Sequence, residues 1–358
     1  MVKILHAADF HLDSAFTALS EDRARQRRRE SRQLVRRMVD YANDHGVELM
    51  LLAGDLFDGE RVYAETLEEV AAALGLFRGQ VLIAPGNHDY YAMRSPYTRI
   101  LWPENVHVFK EKSWEKVEFP QYGCSVWGAA FAAPEMEALT EELQCDGEGV
   151  QLLVFHGDVG TASSRYRAVD PQWLANSGAH YAALGHVHEY RGMQRAGGTD
   201  YAYCGCPEGR GFDELGEKGF LVGEVDEQGA HLQFVPFAGR EYHILPVDVT
   251  DGEILPAVRD ALQGRETDIC RVILRGETET KPDTAALEEE LAGLAWQLEV
   301  RDETRLQQDI WQGWQEDTLR GLFLRQLRSE YETADEERRA VIEQAVRYGL
   351  AAMENREL

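Results

Sequence analysis

The chain is short of cysteine and of positive charge, and it has no long apolar run. Its five cysteines (Cys124, Cys145, Cys204, Cys206, Cys270) are odd in number and unevenly spaced, which excludes a disulfide framework as the main source of stability. The "CGC" at 204 to 206 lacks the second pair that a soft-metal site needs, so buried free thiols are expected. The longest apolar stretches, such as "VELMLLAG" and "QLLVFHG", are strand-sized, well below the roughly 20 residues of a membrane helix. The start, "MVKILHAAD", has neither a long apolar region nor a small-residue cleavage site, so a cytoplasmic protein without membrane contact is expected. A net charge of −26 argues against a generally basic surface for nucleic acid.

What is present suits a large globular core: 358 residues with 44% hydrophobic content. The one local basic excess is "RARQRRRESRQLVRR", residues 23 to 37, with eight arginines and a single acid. Leu34, Val35, Met38, Val39 and Ala42 follow at helical spacing, so a helix packed by its C-terminal end is expected, its arginine-rich first half projecting from the core. Strands are predicted at 2 to 9, 47 to 54, 80 to 85, 150 to 156 and 180 to 185, with helices near 21 to 45, 64 to 77 and 133 to 145. After residue 200 the pattern is strand-rich. From about 243 it reads strand, helix, strand, helix, a compact αβ unit, and two helical stretches follow at 305 to 329 and 334 to 354.

The chemistry sits where the predicted strands end: "ADFH" (Asp9, His11), "AGDLFD" (Asp55), "PGNHD" (Asn87, His88, Asp89), "FHGD" (His156) and "GHVH" (His186, His188). A lone aspartate there is ordinarily a helix cap and a lone histidine a satisfied polar group. Five such clusters in succession point instead to one ligand edge, because open α/β sheets bind at the carboxyl ends of their strands. Mixed oxygen and imidazole donors suit Mn²⁺, Fe²⁺ or Zn²⁺. Seven donors exceed one ion's need and fit two ions sharing a carboxylate, the arrangement that activates water and clamps a phosphoryl group during in-line attack. Phosphate-ester hydrolysis is therefore the leading reaction class. In an extended strand His186 and His188 would share a face about 7 Å apart, with Val187 pointing away.

The ordered set Asp-x-His, Gly-Asp, Gly-Asn-His-Asp, His, Gly-His-x-His resembles the calcineurin-like metallophosphoesterases. The resemblance implies an α/β fold, a four-layer α/β/β/α sandwich, over residues 1–242. It assigns Asp9, His11, Asp55 and His188 to one metal and Asp55, Asn87, His156 and His186 to the other, with Asp55 bridging. His88 would protonate the leaving oxygen or stabilise developing charge, and Asp89 would orient its ring. Two divalent ions are implied, with Mn²⁺ expected and Fe²⁺, Mg²⁺ or Zn²⁺ as alternatives.

The segments "HAADFHLDSAF" and "GCPEGRGFDELGEKGFLVGEV" are similar to the bacterial SbcD and YhaO type of DNA-repair exonuclease, over about residues 1 to 245. That likeness implies an αβ capping domain at 243–303 and a helical segment at 304–358 that docks on an SbcC/YhaN-like ABC-type ATPase, with DNA as substrate and a homodimer as the assembly. Trp314, Leu319, Leu322, Phe323 and Leu327 lie close to one helix face and supply either a docking surface or a fold-back contact. Asp13 stands where many SbcD-type sequences have glycine, which fits the YhaO branch. A phosphoesterase acting on a small molecule or protein, and a non-catalytic scaffold, are the alternatives.

Overall fold

Runs such as "LMLL" and "YAALG", buried at every position, must be covered on both faces. In the computed structural model, which describes residues 1–250, 252–306 and 310–353, they are inner strands of two six-stranded sheets. The chain enters with β1 (Val2–Ala7), α1 (Glu21–Asp44), β2 (Leu49–Leu52), α2 (Ala64–Leu74), β3 (Gln80–Ile83) and β4 (Val106–Val108), the four strands pairing in parallel. It crosses to the second sheet with β5 (Glu115–Phe119), β6 (Cys124–Ala129) and β7 (Val150–His156). A small parallel pair, β8 (Asp158–Val159) and β9 (Ala168–Val169), precedes α3 (Pro171–Asn176), β10 (Tyr181–Gly185), β11 (Gln194–Ala196) and β12 (Thr199–Tyr203). β13 (Gly219–Asp226) returns antiparallel to β1, and β14 (Gly229–Pro236) closes that edge. The sheet orders are β14-β13-β1-β2-β3-β4 and β11-β12-β10-β7-β6-β5.

Alternate side chains of each sheet enter different cores. Val2, Ile4, Leu49, Leu51 and Leu82 of the first sheet meet Val126, Leu152, Val154, Tyr181 and Ala183 of the second in a shared interior. The other face of the first sheet packs on Leu34, Val35 and Met38 of α1 and Leu67, Val70 and Leu74 of α2. The outer face of the second is covered by Leu174 of α3 with Trp114, Trp173, Leu139 and Leu143. The fold is thus the expected mixed α/β sandwich of four layers. One polar group enters the shared interior. His6 Nδ1 lies 2.8 Å from the Tyr181 hydroxyl and Nε2 3.1 Å from the Leu184 carbonyl, so Nε2–H donates to the carbonyl and Nδ1 accepts from the tyrosine. Burial pushes its pKa down to about 3.

Three local expectations fail for physical reasons. Residues 133–145 form no helix, because their backbone bonds go to neighbouring segments: Met136 N to Arg165 O (2.9 Å) and Leu139 N to Ala168 O (2.8 Å). The arginines of α1 do not all project: Arg25 and Arg29 are exposed, but others are tied down. Arg27 is fully buried against Glu208, and Arg32 pairs with Glu65 and Glu69 of α2. The helix expected over 305–329 begins only at Leu319; residues 307–309 lie outside the described residues.

By its contacts the chain divides into two compact units, the first comprising 1–244, 264–271 and 293–298. The second holds the described residues of 245–263, 272–292 and 299–353. Along this part run β15 (Tyr242–Asp248), α4 (Ile254–Ala261), β16 (Ile269–Arg275), β17 (Glu277–Thr278), α5 (Thr284–Glu290), β18 (Gln297–Asp302) and β19 (Arg305–Leu306). β15, β16 and β18 form a sheet in that order. The last two helices are α6 (Leu319–Tyr331) and α7 (Glu336–Met353); residue 354 of the second expected stretch lies outside the described residues. They share a small core of Leu324, Ile342 and Val346. Trp314, Phe323 and Leu327 pack onto that core, whereas Leu319 and Leu322 are exposed.

Candidate metal centre

β1, β2 and β3 run parallel in one sheet and β7 and β10 in the other, and the turns after all five strands meet at one edge. Backbone conformation, not only rotamer choice, aims the side chains there. Asp9 (φ 56°), His11 (φ 45°), Asp55 (φ 50°) and His186 (φ 114°) all take positive φ, which strains a non-glycine residue by about 1–3 kcal/mol each. The strain is held by long-range hydrogen bonds, Asp9 N to Gly54 O (3.0 Å) and His11 N to Asp55 O (2.9 Å). Close approach between the two sheets needs glycine: a Cβ on Gly185 would lie 1.9 Å from the Ala53 carbonyl oxygen.

Among the described residues the donor atoms fall into three groups, one of them His11, Asp58 and His88. Asp9, His11 and His188 form another and Asp9, Asp55 and His156 the third, each with ligand atoms within 4.8 Å of one another. Asp55 Oδ2 lies 3.5 Å from both His11 Nε2 and His156 Nε2, a bridging position. Asn87 Oδ1 is 2.9 Å from His156 Nε2. His186 and His188 lie beyond the end of β10, so strand alternation does not govern them. The His188 ring stands against His11 (centroids 5.0 Å) and the His186 ring against His156 (5.3 Å) and Tyr166 (4.9 Å). The His186 backbone N–H donates to both Asp9 carboxylate oxygens at 3.1 Å.

His88 is half-exposed, its Nδ1 3.4 Å from Asp58 Oδ1. Asp89 does not orient that ring. Its buried carboxylate accepts from Phe57 N (3.1 Å), Gly86 N (2.7 Å) and Tyr97 Oη (2.5 Å), tying the turn that carries Asn87 and His88 to the turn after β2. Asp58 takes the expected role, because it lies three residues beyond Asp55 on that turn and also accepts from His11 Nδ1 at 3.1 Å. A matching carboxylate, Glu214, lies 2.7 Å from His188 Nδ1 and is gripped by Arg210. Neither Asp58 nor Glu214 was singled out from the sequence. The signal for Asp58 was its place in "AGDLFD"; Glu214 lies in an acid-rich loop with no comparable spacing.

This donor chemistry fits bound cations. With Nδ1–H of His11 and His188 donating to carboxylates, their Nε2 atoms face each other at 3.3 Å beside Asp55 and Asp9 oxygens; burial opposes a second proton on His188, but Glu214 and Asp9 raise its pKa, so this cluster draws a cation, a proton or a metal ion. His156 repeats the pattern, since Nδ1–H donates to Ala53 O (3.0 Å) and leaves the Nε2 lone pair facing Asn87 and Asp55 oxygens. Facing acceptors repel unless a cation lies among them, and carboxylates behind the imidazoles raise their basicity as ligands. Burial lowers the pKa of His156 to about 4 and also lowers His11, keeping both in the neutral form that binds metal. Burial opposes the Asp55 carboxylate, which accepts from the His88 backbone N–H at 2.9 Å. The Asp58 hydrogen bond raises the pKa of His88, favouring its protonated form.

The sequence profile of the calcineurin-like phosphoesterases matches residues 2–190. The chain belongs to that family and is a metal-dependent phosphoesterase; the family uses a dinuclear divalent-metal site, for which these histidine and aspartate groups are the candidates. It is similar to YhaO of Bacillus subtilis (strain 168), an uncharacterized metallophosphoesterase, with 29% identity over 297 residues, 76% of this chain and 71% of that protein. It is also similar to the DNA double-strand break repair protein Mre11 of Aeropyrum pernix, 27% identical over 275 residues, 70% of this chain and 65% of that one. Against the Mre11 of Methanopyrus kandleri the identity is 23% over 254 residues, 64% of this chain and 55% of that one. It thus spans less than two thirds of either Mre11. Among the described residues no helix is long and apolar enough to cross a membrane.

Proposed function

We propose that this phosphoesterase is a nuclease that hydrolyses DNA phosphodiester bonds in repair, working with an SbcC/YhaN-like ABC-type ATPase and as a homodimer. The observation that carries the DNA assignment is the reach of the Mre11 similarity: 275 residues, beyond the phosphoesterase domain at 2–190. Asp9, His11, Asp55 and His188 would hold one ion and Asp55, Asn87, His156 and His186 the other, with Mn²⁺ as the proposed metal. When bound, the ions would supply a water of lowered pKa and electrostatic stabilisation of the reacting phosphoryl group.

The chain's own groups do the rest. His88, exposed on one side and anchored through Nδ1 by Asp58, presents Nε2 to the leaving oxygen and gives it a proton. Asp58 favours the imidazolium before transfer, and Asp89 fixes the turn from which His88 projects. Exposed Leu319 and Leu322 of α6 offer the ATPase an apolar contact, while Trp314, Phe323 and Leu327 serve the helix pair itself. The net charge of −26 favours a second reading, a small phosphodiester substrate.

Linear duplex and single-stranded DNA incubated with the Mn²⁺-loaded chain, beside His88→Ala, test this directly. Cleavage that falls by about 10²- to 10⁴-fold in the variant is expected. No DNA cleavage, with turnover of an aryl phosphodiester, would remove the DNA assignment and leave the small-substrate reading. Deleting residues 305–358 should abolish capture of the ATPase without loss of aryl phosphodiester hydrolysis.

A further inference from the structure

A substrate that carries negative charge must approach a chain of net charge −26 at a centre already walled by Asp9, Asp55 and Asp58. Among the described residues, Arg210 is the basic side chain within hydrogen-bond range of a ligand histidine's ring, with Nη2 3.0 Å from His188 Nδ1. Both atoms are donors, so that approach is not a bond between them. Each donates to the same oxygen, Glu214 Oε1, and Arg210 Nε donates to Glu214 Oε2 at 3.2 Å. The guanidinium is therefore locked in plane along one edge. Its other edge is not: Nη1 has no hydrogen bond among the described residues, on a side chain that is 20% exposed. The charge of Arg210 is felt at Asp9, His11 and His88 as well as at its neighbour His188.

The loop that carries it is pre-organised. Buried Arg27 donates to Glu208 Oε1 (3.0 Å) and to the Gly209 carbonyl (3.2 Å), and the Tyr242 hydroxyl donates to the Arg210 carbonyl (3.1 Å). Arg191 and Lys218, which line the same surface beside His188, are bonded elsewhere: Arg191 to Glu189 at 2.8 Å and Lys218 to the His188 carbonyl at 3.3 Å. A planar, weakly hydrated guanidinium with one free edge is the group best suited to a phosphate oxygen.

We propose that Arg210 positions the substrate by donating from Nη1 to a non-bridging oxygen of the scissile phosphate, with Glu214 acting as the brace that keeps that edge turned outward. The assignment rests on the phosphoesterase activity and does not depend on DNA being the substrate. It accounts for phosphate recognition in an acidic chain by one fixed cation in place of a basic surface.

The test uses the full chain with Mn²⁺, comparing Arg210→Gln, Arg210→Lys and Glu214→Gln. Three quantities are read: Mn²⁺ bound per chain, affinity for inorganic phosphate by calorimetry, and kcat and KM for bis-p-nitrophenyl phosphate. Arg210→Gln should keep both ions, bind phosphate about 10- to 100-fold more weakly and raise KM by a similar factor, the loss expected of one charge-assisted hydrogen bond. Arg210→Lys should recover part of that loss, since it restores charge without the fork. Glu214→Gln should weaken the ion beside His188. Unchanged phosphate affinity in Arg210→Gln, or loss of an ion as in Glu214→Gln, would overturn the proposal, the latter by reducing Arg210 to a structural brace. Absence of diester turnover by the unmodified chain, with phosphate binding still sensitive to residue 210, would instead count against the phosphoesterase activity alone.

Discussion

Asp58 grips two imidazoles by Nδ1, one of a ligand histidine and one of the proposed acid, and Ser14 Oγ donates to its second oxygen at 3.0 Å. Asparagine there would offer an amide N–H to one ring and force His11 toward the wrong tautomer. Asp58→Asn should lower Mn²⁺ affinity or kcat by about 10- to 100-fold, read by metal titration and steady-state rates. Unchanged values for both would show that the tautomer is set elsewhere. Asp58 and Glu214 also mark where the sequence stopped being readable. The seven donor residues stand at strand ends, and strand ends can be found from apolar runs. A carboxylate behind an imidazole is defined by a contact across 26 residues (Glu214 and His188) or 47 (Asp58 and His11), in a chain with 63 acids to choose from. Asp89 was misjudged for the same reason, because its partners Phe57 and Tyr97 carry no signal in its own motif.

At the scale of elements, buried β1, β2, β3, β7 and β10 were legible because strands covered on both faces read as near-continuous apolar runs, with polar breaks such as Lys3, His6 and Gln151. The stretch over 133–145 was not. Its leucines have helical spacing, but Leu139 and Leu143 serve as a flat cover on Trp114 and Trp173, and Trp173 Nε1 donates to the Glu141 carbonyl at 2.7 Å. Asp13 illustrates a residue whose purpose appears only once elements meet. At φ 70°, it accepts from Tyr63 N (2.9 Å) and Thr66 Oγ1 (2.8 Å) and so holds the start of α2. One tight junction between elements is the end of β10 against the end of β2. Gly185→Ala would drive a methyl into the Ala53 carbonyl and should destabilise the fold by about 3 kcal/mol or more, measured by denaturant unfolding. A loss under about 1 kcal/mol would mean that the two strand ends can part without consequence.

For the whole molecule, His6 joins the sheets through a proton it cannot share. Its pKa falls from the ordinary 6.5 to about 3 on burial, so between those values the unfolded chain binds a proton that the folded one refuses. The stability this group contributes is complete above pH 6.5 and is lost as pH falls toward 3, by about 1.4 kcal/mol per pH unit. His6→Gln, whose amide can meet both Tyr181 and Leu184, should show a shallower acid slope by that amount in denaturant melts from pH 7 to 3. Parallel slopes would remove His6 from the acid response. The donor groups raise a related point, since Asp9, His11, Asp55 and Asn87 follow strands of one sheet, while His156 ends a strand of the other and His186 and His188 follow one. A ligand held from both sides is a clasp between the halves of the sandwich, worth about 2.7 kcal/mol for each ion present at 100 times its Kd. Metal supply would then set how long the chain survives as well as how fast it works, and a starved molecule would reach proteases with its two halves loosened at the edge where they are most strained.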